Sequence, residues 1–443
     1  MKTPIVDFVK KYAQANPTRL HVPGHKGKCV LGCEQWDLTE IVGADSLYNA
    51  NGIIWESQQN ASAVFGCPTF YSAEGSSLAI RAMLYLLQQH AISQGAEPKI
   101  LATRNVHKSF VSGAALLDID VQWLSNSSNS YLSCTIDLDN LQQALQQHKP
   151  TALYVTSPDY LGNLADIASV AKVCHQHNVL LAVDNAHGSY LKFLNPSLHP
   201  IDLGADICCD SAHKTLPVLT GGAYLHISYN APSSLAQNAP NALSLFGSTS
   251  PSYLIMQSLD LANQTVDSDQ YKAQLQHCCD DVSQLKASLA KIGYQLCGNE
   301  PLKVTLATKD YGYFGTQVAQ HLQDNNVYVE MFDDDFVVMM FSPSNDEADF
   351  QHTLKALACL PQKQAIPQTN IEPHQPQRAM TLRQATLACT TVLPVSQCLG
   401  RVCAQANVAC PPCVPIIMCG EVVDQQTIDT LLYYKTTHLQ VVK

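Results

Sequence analysis

Two polar clusters close two apolar runs in this chain, and between them they hold a carboxylate and a primary amine. Asp184-Asn185-Ala186-His187-Gly188 follows Val179-Leu180-Leu181-Ala182-Val183, and Ser211-Ala212-His213-Lys214-Thr215 follows Ala205-Asp206-Ile207-Cys208-Cys209-Asp210. An apolar run that stops at a polar cluster is the pattern of a buried strand opening onto a loop. A lysine at one strand end and an aspartate at another are what pyridoxal phosphate (PLP) requires. The lysine forms the Schiff base, and the carboxylate keeps the pyridine nitrogen protonated so that the ring can accept electrons. Asp184 facing a pyridinium makes an ion pair in a partly dry site, where charge is worth most.

Two further segments supply what such a site still needs. Glu74-Gly75-Ser76-Ser77 opens a helical stretch, and a glycine followed by hydroxyls at a helix N-terminus is a phosphate cup of free N–H groups and O–H donors. Arg104-Asn105-Val106-His107-Lys108-Ser109 follows an apolar run, and its His107 can lie flat over a pyridine ring. Each segment also has a plainer meaning. Lys214 reads as a polar loop lysine, Asp184 as a turn aspartate, Gly75-Ser76-Ser77 as an ordinary N-cap, and 104–109 as a solvated basic loop. Their joint occurrence in one alternating chain favours the cofactor reading.

The elements that must position these groups follow from periodicity. Strands are expected at 99–102, 152–156, 179–183, 206–209 and 223–227, with helices at 76–90, 138–147 and 166–177. Strands alternating with helices imply βαβ units and a mainly parallel sheet covered on both faces, with ligands beyond the carboxyl ends of the strands. The pattern predicts an α/β large domain at 61–265, preceded by an irregular segment at 1–60 with one early helix at 4–16. One long helical pattern at 252–292 leads out of it. A smaller α+β domain follows at 266–362 (strand 303–307, helix 315–324, strand 337–341), then a Pro- and Gln-rich linker at 363–380. A C-terminal domain at 381–443 carries a helix at 382–389 and the loop 410–421.

Bulk properties narrow the function classes. The 443 residues can bury a large core, and a net charge of −11 argues against nucleic acid. The N-terminus has no apolar signal core and no apolar stretch is long enough to span a membrane, so a cytoplasmic location is expected. Seventeen cysteines in a long chain of that kind are read as reduced thiols. Cys410-Pro411-Pro412-Cys413 has CxxC spacing, but its prolines argue for an extended loop, and nothing ties Cys29 and Cys33 to it as a second ligand pair. These are read as ordinary thiols, and no metal site is expected.

Taken together, the segments resemble the prokaryotic ornithine/lysine/arginine decarboxylase family of fold-type-I PLP enzymes, whose large domain has the aspartate aminotransferase fold. The matching strings run nearly the whole length. They are His21-Val22-Pro23-Gly24-His25-Lys26-Gly27; Arg104 to Ser109; Thr156-Ser157-Pro158-Asp159-Tyr160-Leu161-Gly162; Asp184 to Gly188; Ser211 to Pro217; Ser248-Thr249-Ser250-Pro251-Ser252-Tyr253; and Pro411-Pro412-Cys413-Val414-Pro415 through Gly420-Glu421. The resemblance implies that Lys214 carries PLP, Asp184 pairs with the pyridine nitrogen, His107 stacks on the ring, and His187 is a further cofactor-binding residue. Gly75, Ser76, Ser77, Ser211 and His213 would surround the phosphate. Thr249 and Ser250 would reach a neighbouring subunit's site, which makes a homodimer or larger homo-oligomer the working unit. Glu421 would help receive the substrate's distal cation, with His25 and Lys26 on the substrate side. The length suggests a compact member without the N-terminal wing domain. Three positions depart from the family pattern: Glu74 where Asn is usual, Asn185 where Glu is usual, and Lys28 where Gly is usual. A carboxylate at Glu74 would repel a phosphate unless it points away.

The reaction implied is PLP-dependent α-decarboxylation of arginine, lysine or ornithine to an amine of the polyamine pathways. Lys214 and His213 are the candidates for returning a proton to Cα. Aminotransferases and carbon–sulfur lyases share the lysine and the carboxylate. A non-catalytic regulatory protein could retain the same fold. The His21–Lys26 loop and the C-terminal Gly420-Glu421 segment are what favour decarboxylation.

Overall fold

The computed structural model describes residues 1–124, 131–133, 135–368, 371, 373–405 and 416–443; Cys410, Cys413 and the prolines beside them lie outside the described residues. The chain divides into two compact units, each made from two stretches of sequence. One is Met1–Pro98 with Ile167–Ala273, the other Lys99–Asp166 with Gln274–Lys443. In chain order the elements begin with α1 (Pro4–Gln14), α2 (Ile53–Phe65), β1 (Thr69–Ser72), α3 (Gly75–Ser93), β2 (Lys99–Ala102), α4 (Lys108–Leu117), β3 (Asp120–Trp123), α5 (Leu138–His148) and β4 (Ala152–Thr156). They continue with α6 (Ile167–Gln176), β5 (Leu180–Asp184), β6 (Ile207–Asp210), α7 (Ala212–Thr215), β7 (Ala223–Ile227), α8 (Ser233–Phe246), α9 (Tyr253–Val266) and α10 (Asp269–Lys291). The last are β8 (Gln295–Cys297), β9 (Lys303–Ala307), α11 (Gly315–Asp324), β10 (Met331–Phe332), β11 (Phe336–Met340), α12 (Glu347–Ala358), α13 (Leu382–Thr386), β12 (Thr390–Pro394), α14 (Gln425–Tyr433) and β13 (His438–Val442).

In the first unit the strands lie in the order β1–β7–β6–β5. β5 and β6 run parallel, with Ala182 opposite Ile207 and Asp184 opposite Cys209. β7 returns antiparallel to β6 and also pairs antiparallel with β1. Every residue of β6 and β7 is buried. That is why their sequences are continuous apolar runs rather than alternating ones. α3 lays Leu78, Ala79, Ala82, Met83 and Leu86 into this core, a helical repeat that matches its buried side. α1 begins without a side-chain cap of its own. Its first free N–H groups, on Ile5 and Val6, donate instead to Asp260 Oδ2 of α9 at 3.0 and 3.1 Å.

In the second unit β4, β2 and β3 pair in parallel in that order. A separate antiparallel sheet has the order β10–β11–β9–β8, and β12 pairs with β13. Val395, Cys403, Ile417, Leu431, Leu439 and Val441 form a common core around the β12–β13 pair and α14.

Most expected elements appear within one to three residues of their predicted bounds, and three features differ. The long helical pattern is two helices: it breaks at Asp267-Ser268, where Ser268 Oγ accepts the Tyr271 N–H and starts α10 afresh. α8 tolerates Pro240 in its interior, so its sequence does not read as a helix. β1 is only four residues long and gave no separate signal. Among the described residues, no helix is long and apolar enough to cross a membrane.

Asp260 is almost fully buried and also accepts Ser57 Oγ; desolvation pushes its carboxyl up to about 6 despite these donors. A folded pKa above the unfolded value means that the native state binds the extra proton. The stability this gives is full below about pH 4 and is lost as pH rises through about 6. Asp260→Asn should therefore flatten the pH dependence of the urea midpoint between about pH 4 and 7, removing on the order of 2–3 kcal/mol of it. An unchanged slope would show that Asp260 titrates normally.

Candidate active site

The parallel register of β5 and β6 brings Asp184 and the Lys214 loop to neighbouring strand ends. Asp184 is the last residue of β5 and is buried. Its Oδ1 accepts the Ala186 N–H at 3.2 Å and faces the Cys209 thiol at 3.6 Å. Burial, then the carboxylates of Asp184 and Asp210, push the Cys209 thiol far up, so it stays a donor. The turn after Asp184 is tight: a Cβ on Gly188 would stand 2.0 Å from Asn185 Oδ1, so only glycine fits. This turn brings back His187, which is buried, with Nε2 2.9 Å from Lys214 Nζ. The amine donates to the imidazole, and a lysine held this way is aimed rather than solvated.

Lys214 sits in the single turn α7 after β6. His213 Nδ1 donates to Gly222 O at 3.1 Å, which leaves Nε2 as its second nitrogen. Ser211 Oγ donates to Ser76 Oγ at 2.7 Å, so the residue that follows β6 touches the first turn of α3. The Gly75 N–H donates to Gly221 O at 2.7 Å, which ties the start of α3 to the loop after Lys214. Gly221 has φ +99°, and a Cβ there would lie 3.2 Å from Ala73 O. Gly75, Ser76, Ser77, Ser211 and His213 are thus all carried by this α3–α7 region. Glu74 does not obstruct it, because its Oε1 accepts the Ser248 N–H at 2.6 Å. Thr249 and Ser250 follow Ser248 and are exposed. An amine, a buried carboxylate and hydroxyls at the start of a nineteen-residue helix form a donor set that fits PLP.

In the N-terminal loop His25 Nε2 lies 3.2 Å from Asp37 Oδ2, and its Nδ1 accepts the Gly27 N–H at 3.0 Å. Lys26 Nζ donates to His21 O. Both side chains are engaged within their own loop.

In the second unit His107 caps α4, its Nδ1 accepting the Ser109 N–H at 3.2 Å. Three residues earlier, Arg104 makes a two-pronged ion pair with Glu421 at 2.7 and 2.9 Å, and both side chains are buried. The guanidinium also stands 5.8 Å from the centre of the Trp123 ring. Glu421 Oε2 takes a third donor, the Met418 N–H, at 2.8 Å. The carboxylate expected to receive a substrate cation is therefore engaged by three donors of the chain itself. Sequence reasoning did not pair Arg104 with Glu421, since no local pattern links two residues so far apart. It also passed over Asp210, whose carboxylate takes Asn185 Nδ2 at 2.7 Å.

The model of the family described as "Orn/Lys/Arg decarboxylase, major domain" matches residues 3–299. An arginine decarboxylase of Bacillus subtilis (strain 168) is 29% identical over 463 residues, with 96% of this chain and 92% of that protein covered. An arginine decarboxylase of Halalkalibacterium halodurans is 28% identical over 460 residues, with the same coverage. Among solved structures, the Francisella novicida lysine decarboxylase LdcF superposes with a TM-score of 0.81 at 16% identity, over 100% of this chain and 81% of that one. The fold is thus that of the fold-type-I PLP enzymes, with a mostly parallel sheet and smaller accompanying domains. The chain belongs to the Orn/Lys/Arg decarboxylase family and is a PLP-dependent decarboxylase of basic amino acids.

Proposed function

We propose that arginine is the substrate. The observation that carries this choice is the near full-length similarity to two proteins named arginine decarboxylase, at 29% and 28% identity. The lysine decarboxylase structure shares 16%, which makes lysine the second reading.

Within this reading Lys214 holds the cofactor, Asp184 keeps a proton on its pyridine nitrogen, His107 stacks on its ring, and His187 is a further cofactor-binding residue. Gly75, Ser76, Ser77, Ser211 and His213 hold its phosphate. When bound, PLP supplies the electron sink for the pair left on Cα as CO₂ departs. The chain must then deliver a proton to Cα. Lys214 Nζ and His213 Nε2 are the groups suited to it, and the His187 contact keeps Lys214 Nζ supplied with a partner for that proton. Thr249 and Ser250, exposed after α8, complete the site of a second copy in a homodimer. Residues 61–265 act as the cofactor domain, with 266–362 and 381–443 as smaller domains around a linker at 363–380. A cytoplasmic location fits the fourteen free cysteines among the described residues.

The deciding measurement is CO₂ and amine release from arginine, lysine and ornithine by the purified holoenzyme. Arginine should be turned over with the highest kcat/KM, and a preference for lysine would replace this reading with the second. Lys214→Ala should lose both the bound cofactor's visible absorbance after dialysis and all turnover. Asp184→Ala should retain the cofactor and lose on the order of 10²–10³ in kcat, since an electrostatic partner of developing charge is removed. Glu421→Gln separates two roles. Leaving Arg104 buried without its counter-charge should cost about 3–5 kcal/mol of stability. A raised KM for arginine with an unchanged melting temperature would instead make Glu421 a substrate ligand.

A further inference from the structure

Beneath the Lys214 loop, β6 and β7 carry a second set of reactive groups that decarboxylation does not use. Asp210 is fully buried, and four side chains converge on its carboxylate. Oδ1 accepts from Asn185 Nδ2 at 2.7 Å and from the Cys208 thiol at 3.6 Å. Oδ2 lies 3.2 Å from His199 Nε2 and 3.3 Å from His226 Nε2. His199, Cys208 and His226 are also fully buried.

The two histidines meet this carboxylate differently. His199 Nε2 has hydrogen-bond geometry toward Oδ2. His226 Nε2 is a buried nitrogen with no hydrogen bond, although an anionic oxygen is close by. Its Nδ1 lies 3.0 Å from Thr69 Oγ1. Burial lowers the His226 pKa, and the Asp210 carboxylate works against that shift. Although burial opposes it, His199 and His226 hold Asp210 well below the usual carboxylate range. A carboxylate, a thiol and two imidazoles packed together in a dry interior form a polar cluster that a cation can join.

The spacings suit a metal ion. Bonds of about 2.0–2.3 Å in a tetrahedral site set the ligand atoms about 3.3–3.6 Å apart. His199 Nε2 lies 3.2 Å from Asp210 Oδ2, and the Cys208 thiol lies 3.6 Å from the other carboxylate oxygen, Oδ1. The ligand atoms of His199, Cys208 and Asp210 all lie within 4.8 Å of one another. An imidazole, a thiolate and a carboxylate are ligands of the zinc class.

We propose that His199, Cys208 and Asp210 form a buried structural site for one zinc-class divalent ion, with His226 beside the Asp210 carboxylate. Burial keeps the Cys208 thiol protonated in the metal-free state. Binding breaks that S–H bond, releases the proton to solvent and forms a sulfur–metal bond. His199 moves its proton to Nδ1 and gives up a weak 3.4 Å bond from the Ile201 N–H. One thiolate and one carboxylate then balance the ion's two charges, with neutral imidazole from His199, so the buried cluster carries no net charge. The ion would clamp β6 to the segment bearing His199, under the turn that holds Asn185 beside Asp184. The signal becomes readable only with the strand register. Cys208 and Asp210 share one face of β6, and His226 is directly opposite Cys208.

Elemental analysis of the holoenzyme, dialysed against metal-free buffer, tests this. About one zinc per chain is expected, at least tenfold less in Cys208→Ser and in Asp210→Asn, and no change in the double variant Cys410→Ser/Cys413→Ser. Where Cys208→Ser and Asp210→Asn do not fold, the cobalt(II) form of the Cys410→Ser/Cys413→Ser holoenzyme supplies the readout. It should show sulfur-to-cobalt charge transfer and the visible bands of a tetrahedral ion. A holoenzyme that holds no metal and takes up none from added zinc overturns the assignment. So does metal that survives in both single variants, or a cobalt form without the sulfur band.

Discussion

The parallel register of β5 and β6 is the constraint on which the first unit's chemistry depends. Successive side chains of a strand point to opposite faces, so a slip of one residue would turn Asp184 away from its site and reverse every neighbour with it. The register is held at both ends. At the start of β6 the Asp206 N–H donates to Leu181 O at 2.9 Å, and Asp206 Oδ2 accepts the Leu181 N–H at 2.7 Å. At the other end the Asn185 N–H donates to Cys209 O, and Asn185 Nδ2 reaches Asp210. Polar side chains inside a buried pair of strands thus specify one alignment where apolar packing alone would tolerate several.

The same economy governs the charged groups. Three aspartates crowd β5 and β6, and each is met by different partners: Asp206 by a backbone N–H and His175, Asp210 by Asn185 and two histidines, and Asp184 by the Ala186 N–H and a thiol. Elsewhere a buried ion pair between near neighbours also fixes a contact with a distant segment. Lys303 pairs with Glu300 at 2.9 Å and also donates to Asp159 O, which anchors the loop after β4 to β9. Desolvation consumes most of the Coulombic gain of such pairs, so their effect is to select which segments meet.

Much of this was legible in the sequence. Continuous apolar runs marked β5, β6 and β7 because both faces of those strands are buried, and the polar residues closing them marked the site. The glycines and hydroxyls opening α3 were readable because a helix N-terminus leaves N–H groups without intrahelical partners. What stayed hidden depends on long-range contacts. The Arg104–Glu421 pair, the Glu74–Ser248 bond and the convergence of His199 and His226 on Asp210 join residues far apart in sequence. α8 was obscured by Pro240, whose cost its packing on α3 absorbs. Asn185 suits its place beside Asp210, because an amide can donate to a buried carboxylate where a glutamate would repel it.

The Arg104–Glu421 pair also orders events during synthesis. The ribosome delivers Arg104 317 residues ahead of its carboxylate. Until the final stretch of polypeptide emerges, that guanidinium has no counter-ion to accompany it into the interior, and water remains its best surroundings. The segment that carries His107, although translated early, thus completes its burial only once the stretch bearing Glu421 has joined it.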